Sequence, residues 1–334
     1  MAYKPNMEDI KKLRTMTGAG LADVKKALTE AEGDFNQAKD LLRERGLAIA
    51  AKRSDRETSN GCVLVKAVDG FAAMIALKCE TDFVANGADF IALTQSILDA
   101  AIANKCADLE QVKELTLADG QKVQDAVTQR SGITGEKMEL DGYLTLEGEN
   151  IEVYNHMNKN TLCTMVQTNK ENVDAGHKVA MQVAAMKPVA LNAEAVPQAV
   201  LDEEYNVAVQ KTKEEQIEKA VTAAIKKAGI NPAHVDSEDH MESNMAKGWI
   251  TAEDVAKAKE IIATVSAEKA ANLPEQMIQN IAKGRVAKFL KENCLVDQEF
   301  QFGDGDKATV SQWLAAQDKD LKVVAFQRFT LAAE

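Results

Sequence analysis

The stretch VLVKAVDGFAAMIALKCETDFVANG (residues 63–87) decides how the chain folds. Val63, Val65 and Ala67 alternate with Leu64, Lys66 and Val68, which is the period of a strand. Asp69-Gly70 then supplies the two residues that a tight hairpin turn favours, and residues 71–80, which begin with the apolar run FAAMIAL, return as a second strand. An Asp-Phe pair flanked by turn residues follows. Beyond it a helix is predicted from Asn86, with Asp89 three residues on and a face of Phe90, Leu93, Ile97 and Ala101.

Aromatic residues are only 4% of the chain, so a phenylalanine on a loop calls for a reason. Two are available. Phe83 can tuck under the following helix as a core residue, with Asp82 capping the turn. Alternatively Phe83 is a presented wedge. A phenylalanine that leaves water for a partner's pocket contributes roughly 1.5–3 kcal/mol, the scale of an interface hot spot. The residues alone leave both readings open.

Outward from this stretch the pattern recurs. Strands are predicted near 136–147 and 149–156, separated by Glu147-Gly148, and HMNKN (156–160) turns the chain into a strand at 161–168. A helix at 172–187 ends before Pro188. Hairpin followed by helix therefore occurs twice, which predicts two α+β subdomains with antiparallel sheets. Upstream, residues 6–46 read as three short helices. Asn6 caps the first, Gly18-Ala19-Gly20 breaks it, Gly33 stops the second, Asp34-x-x-Gln37 opens the third and Gly46 ends it. A core of about 40 residues is marginal, so this module should dock on something larger. Residues 51–61 read as a linker.

From 198 to 271 the chain is charged and helical. Leu201, Tyr205, Ala208, Ile217, Val221 and Ile225 form a heptad-like stripe, Asn231-Pro232 breaks it, and Thr251-x-x-Asp254 opens a return helix carrying Val255, Ile262 and Val265. This predicts an antiparallel coiled-coil arm. A helix at 274–291, a helix near 309–317 and a strand VVAFQRFTL (323–331) follow. The last strand should join the second sheet, which makes the arm an insertion. The expected organisation is a helical module (1–50), a linker (51–61), a first core subdomain (62–135), a second (136–201 with 272–334) and the inserted arm (202–271).

The net charge of −12 argues against a general nucleic-acid binder, which needs clustered Lys and Arg. The five cysteines form no C-x-x-C pair, and the four histidines show no metal-binding spacing. MTGAG lacks the strand and third glycine of a dinucleotide fingerprint, and GITGEK lacks the Walker spacing. No nucleophile elbow is present. The reading is therefore of a protein that is not an enzyme, with no catalytic residue, cofactor or metal of its own. It expects a cytoplasmic location, because residues 1–10 resemble no targeting segment and no long apolar stretch exists.

Several stretches together resemble the elongation factor Ts family. Residues 13–46 are similar to its N-terminal module, which is itself similar to a ubiquitin-associated domain. CETDFVANGADF (79–90) is similar to its signature loop, and residues 177–188 and 280–298 to later core segments. The resemblance implies a guanine-nucleotide exchange factor whose partner is elongation factor Tu, and it favours the wedge. Asp82 and Phe83 would enter the partner's G domain between two helices near its Mg²⁺, with Thr81 and Val84 beside them. Lys25 would meet the partner from the N-terminal module, and Gly132 and His156 from the core. Three departures stand out. The family's Gln-Pro-Phe reads Gln298-Glu299-Phe300, the insertion is longer than usual, and a C-terminal helical module present in some members is expected to be absent. A homodimer through the arm or core is compatible with this reading. An adaptor or dimerisation protein without exchange activity is the alternative, and an enzyme with an unrecognised site is a second.

Overall fold

The computed structural model describes residues 3–17, 19–53, 55–303 and 307–332. Gly18, one of the three residues expected to break the first helix, lies outside them. Three helices come first: α1 (Met7–Thr17), α2 (Leu21–Glu30) and α3 (Phe35–Ala51). Asn6 caps α1, its Oδ1 accepting from the Asp9 amide at 2.7 Å. Asp34 accepts from the Asn36 and Gln37 amides at the start of α3. Ile10, Leu13, Val24, Ala27, Leu28 and Ala38 form the small core of this module.

Strands β1 (Asn60–Val68) and β2 (Phe71–Cys79) follow, then the one-turn α4 (Asp82–Ala85), α5 (Ala88–Ala103), α6 (Leu109–Glu114), α7 (Val123–Thr134) and β3 (Met138–Glu147). The β1–β2 hairpin turns at Asp69 (φ 46°) and Gly70 (φ 76°), the two positive φ values that a type I′ turn demands. Its register pairs Val68 with Phe71 and Asn60 with Cys79. Next come β4 (Ile151–Asn155), β5 (Leu162–Thr168) and α8 (Val173–Met186).

Two sheets result, ordered β1-β2-β3 and β4-β5 with a terminal β6 (Val323–Thr330), and every pairing is antiparallel. The expected hairpin of 136–147 with 149–156 is not formed. β3 instead completes the first sheet along β2, pairing Cys79 with Met138 and Phe71 with Glu147. Glu147-Gly148 is thus the crossing from one sheet to the other. The physical reason is the free edge of β2, a nine-residue strand buried along almost its whole length that needs a second partner. β6 pairs with β5, as its alternation predicts.

The sheets pack against each other. Val63, Ala72, Met74 and Ala76 meet Cys163 and Met165 between them. On the other face, Cys62, Leu64, Phe71, Ala73, Ile75 and Leu77 pack with Phe90, Ile97, Leu98, Val112, Val123 and Val127 of the helices α5, α6 and α7. Burial on both faces explains why β1 and β2 read as near-continuous apolar runs. α8 lies on the second sheet, where Thr164 Oγ1 donates to the Ala180 carbonyl at 2.9 Å.

The chain divides into two compact units, residues 1–191 with 299–334 and residues 192–298. The second unit contains α9 (Gln198–Lys227), α10 (Glu238–Ala246), α11 (Ala252–Ala271) and α12 (Glu275–Asn293). α9 and α11 close on a core of Ile225, Ile230, Val235, Met241, Ile250 and Ala258. Thr251 and Asp254 form the capping box that starts α11. The unit is wider than the expected arm of 202–271, because α12 packs along α9 and joins it through Arg285 and Glu215 at 2.6 Å. The chain re-enters the first unit at Glu299. There Phe300 is buried and stacks on Trp313 of α13 (Val310–Gln317) at 4.4 Å. Gln182 holds both flanks, donating to the Glu299 carbonyl and accepting from the Gln301 amide. The loop of the departing Gln-Glu-Phe segment is thereby fixed without a proline.

Gly46 does not end its helix. α3 continues through it to Ala51 because Gly46 is where α3 crosses α7. A Cβ placed on Gly132 would stand 2.5 Å from the Gly46 Cα, so two facing glycines let the helix backbones touch. Arg43 to Asp125 at 2.6 Å and Gln129 Nε2 to the Thr17 carbonyl at 3.3 Å add polar contacts beside the crossing. The small N-terminal core is therefore docked on α7. We expect Gly132→Ala to force the helices apart, at a cost of about 1–3 kcal/mol. Thermal unfolding with amide exchange of α3 checks this: unchanged protection in α3 would refute the crossing as the module's anchor.

Candidate functional site

Phe83 is 87% exposed, the most exposed of the large apolar side chains among the described residues. Its neighbours in sequence face the other way. Ala85 belongs to the first core and Val84 packs against it. The single turn α4 thus separates an inward pair, Val84 and Ala85, from an outward pair, Asp82 and Phe83.

One helical turn is not stable by itself, because nucleation costs more than one or two backbone bonds return. The turn is held from outside. Thr81 is the N-cap, its Oγ1 accepting from the Val84 amide at 3.3 Å. Glu136, in the connection between α7 and β3, accepts from the Thr81 amide at 3.1 Å and from Thr81 Oγ1 at 2.6 Å. The Ser131 hydroxyl donates to the Glu136 carbonyl at 2.5 Å and fixes that segment to α7. At the far end, the Asn86 side chain donates to the Asp82 carbonyl at 2.8 Å. Cys79 donates its thiol proton to the Thr81 carbonyl at 3.2 Å, and burial pushes that thiol up to about 12, so it stays a donor.

Glu80 makes the reciprocal contact. Its carboxylate accepts from the Lys137 amide at 2.6 Å and from Arg56 at 2.9 Å, with Arg53 at 4.0 Å. The Lys137 amide, then the Arg56 and Arg53 charges, hold Glu80 below the ordinary carboxylate value despite the opposing effect of burial. Lys137 in turn donates its ammonium to the Arg56 carbonyl at 3.0 Å. Segments 80–81 and 136–137 are therefore cross-tied, each lending a carboxylate to the backbone of the other.

The other expected contacts lie elsewhere in the first unit. Lys25 is exposed on α2, opposite the buried Val24, Ala27 and Leu28. Gly132 sits in the α3–α7 crossing. His156 opens the β4–β5 turn, half-buried, with Nδ1 3.2 Å from the Tyr154 hydroxyl and the Tyr154 ring also edge-on to His177. The next residue, Met157, is 65% exposed with φ 53°. Lys25, Gly132 and His156 share no hydrogen bond with residues 81–84 among the described residues. The sequence reading missed Glu80, Arg56, Gly135 and Glu136. One signal was present: Gly135, which ends α7 in the left-handed region, stands immediately before a glutamate. Among the described residues no group of three or more His, Cys, Asp or Glu could hold a metal ion. No described helix is long and apolar enough to cross a membrane.

Fold and turn together define an α+β protein with antiparallel sheets that carries an exposed phenylalanine on a turn tied to a distant segment. The family model described as elongation factor TS matches residues 80–233 and 219–333. Elongation factor Ts of Bacteroides fragilis (strain ATCC 25285) is 67% identical over 98% of this chain and 99% of its own length. The same factor of Parabacteroides distasonis is 63% identical over 98% and 99%, and that of Porphyromonas gingivalis (strain ATCC 33277) 39% identical over 98% of each. The chain belongs to the elongation factor Ts family and so is a translation elongation factor.

The sign of the Glu80 shift yields a pH dependence. A carboxylate with a depressed folded pKa stabilises the fold fully above its unfolded value, here 4.5, and loses that contribution as pH falls through the folded value. The stability advantage of wild type over Glu80→Gln should therefore be largest above pH 4.5 and shrink below it. Urea unfolding of both proteins across pH 3–7 checks this, and a difference that grows on acidification contradicts the assignment.

Proposed function

We propose that this protein is a guanine-nucleotide exchange factor that binds elongation factor Tu and promotes release of GDP. The observation that carries the proposal is the exposure of Phe83 on a turn that Val84 and Ala85 anchor by burial. An exposed benzyl ring pre-set in one place can enter a partner's pocket with little further loss of conformational freedom.

In this reading Phe83 displaces a helix of the G domain, and Asp82 approaches the environment of the partner's Mg²⁺ and competes for the groups around it. Both are exposed. No covalent bond changes. The factor holds the nucleotide-free partner more tightly than the nucleotide-bound one, and linkage makes the two weakenings equal. A wedge contributing about 2–3 kcal/mol changes nucleotide affinity by roughly 30- to 150-fold. Any larger effect needs further contacts that hold the partner while the turn acts. Lys25, His156 and the exposed Met157 beside it are the residues we assign to that task. Gly132, half-buried in a helix crossing, would serve by keeping the N-terminal module in place.

Phe83→Ala should leave stability within about 0.5 kcal/mol, as expected for an exposed site. It should slow stimulated GDP release roughly 30- to 150-fold. The measurement is release of a fluorescent GDP from elongation factor Tu at substoichiometric amounts of this protein. An adaptor without exchange activity gives no turnover in that assay, and normal stimulation by Phe83→Ala refutes the wedge.

A further inference from the structure

The turn that carries Phe83 is held from outside, and one distant side chain supplies both long-range hydrogen bonds to its capping residue, Thr81. Glu136 receives two donors from the same residue, the Thr81 amide at 3.1 Å and the Thr81 hydroxyl at 2.6 Å. The second of these sets the direction of the hydroxyl. Once its proton points to Glu136, its lone pair is left to accept from the Val84 amide, the bond that closes the cap. Glu136 thus acts on Phe83 through Thr81. It comes from a segment more than fifty residues away in sequence and is itself located by Ser131 and by Lys137, which Glu80 holds.

We propose that Glu136 is a positioning residue for the exchange reaction: it holds the 81–85 turn in the conformation in which Phe83 projects. The proposal rests on the exchange reading above for its kinetic consequence, but not for its structural one. Glu136 itself need touch no partner. Removing its carboxylate leaves α4 with a cap that can rotate, because Thr81 loses both of its long-range bonds while Glu80 keeps its own, so Phe83 samples orientations that miss the pocket. Hydrogen bonds to a charged acceptor are among the stronger ones.

The test is a double-mutant cycle with full-length protein, using Glu136→Ala, Phe83→Ala and the pair. Glu136→Ala should slow GDP release by at least ~10-fold, the scale of losing hydrogen bonds to a charged acceptor. In the Phe83→Ala background the same change should have almost no further effect, because a residue that acts only by aiming the ring has nothing left to aim. Additive losses overturn the proposal, since they mean that Glu136 contributes through general stability or its own contact. Glu136→Gln, which keeps one acceptor oxygen but turns an amide donor towards the other Thr81 donor, should lie between wild type and alanine. It also serves if the alanine variant folds poorly. Amide exchange of the free protein separates this proposal from the exchange reading. Protection of Val84, Asn86 and Gly87 should fall in Glu136→Ala while β1 and β2 stay protected. Unchanged protection in the turn overturns the positioning role even if GDP release is slow. Loss of protection with a wild-type protein that releases no GDP leaves the positioning of the turn standing and removes the exchange reading.

Discussion

Burial of both faces of the β1–β2 hairpin is the constraint from which the rest of the first unit follows. A hairpin with one wet face can shift or twist at little cost. Here one set of alternating side chains meets the helices and the other meets the second sheet. A register slip of one residue would exchange the two sets and place each against the wrong neighbour. The end of β2 is therefore fixed in space, and so is the start of the turn that follows Cys79. Cys62, Cys79 and Cys163 belong to this packing, and burial raises all three thiols to about 11 or 12, so they behave as small apolar groups.

On that fixed point the chain builds a short turn of poor intrinsic stability and then restrains it. The division of labour is visible residue by residue. Val84 and Ala85 anchor the turn by burial, Thr81 caps it, Glu136 and Glu80 tie it to the strand-forming segment across from it, and Asn86 closes its far end. Asp82 and Phe83 bear none of these duties and are free to face solvent. Preorganisation of this kind is what an apolar contact needs, because a floppy ring would lose on ordering much of what it gains on burial.

Much of this was legible in the sequence. The period-2 alternation of 63–68, the Asp-Gly turn and the helix caps at Asn6, Asp34 and Thr251 all mark local structure through local chemistry, and each lies where the pattern puts it. What could not be read is non-local. Strand pairing partners depend on which edge is free, so β3 reads equally well as a partner of β4 or of β2. Gly46 carries the local signature of a helix end, and only the glycine opposite it on α7 reveals a crossing. Phe83 stayed ambiguous for the same reason: whether a phenylalanine is in or out depends on whether its neighbours already fill the core. The Glu80 and Glu136 ties join residues 57 and 55 positions apart, respectively, and have no periodic signature.

The cross-tie also limits how the length of the chain can vary. Glu136 and Lys137 lie between the left-handed Gly135, which ends α7, and Met138, which is already paired with Cys79. There is no slack on either side. One residue added or deleted here would move the Glu136 carboxylate off Thr81 while both sheets stayed intact, whereas the exposed turn at Gly120 has space around it. Within this family, insertions and deletions should therefore be excluded from 135–138 far more strictly than from the surface loops, although the segment itself carries no exposed recognition side chain.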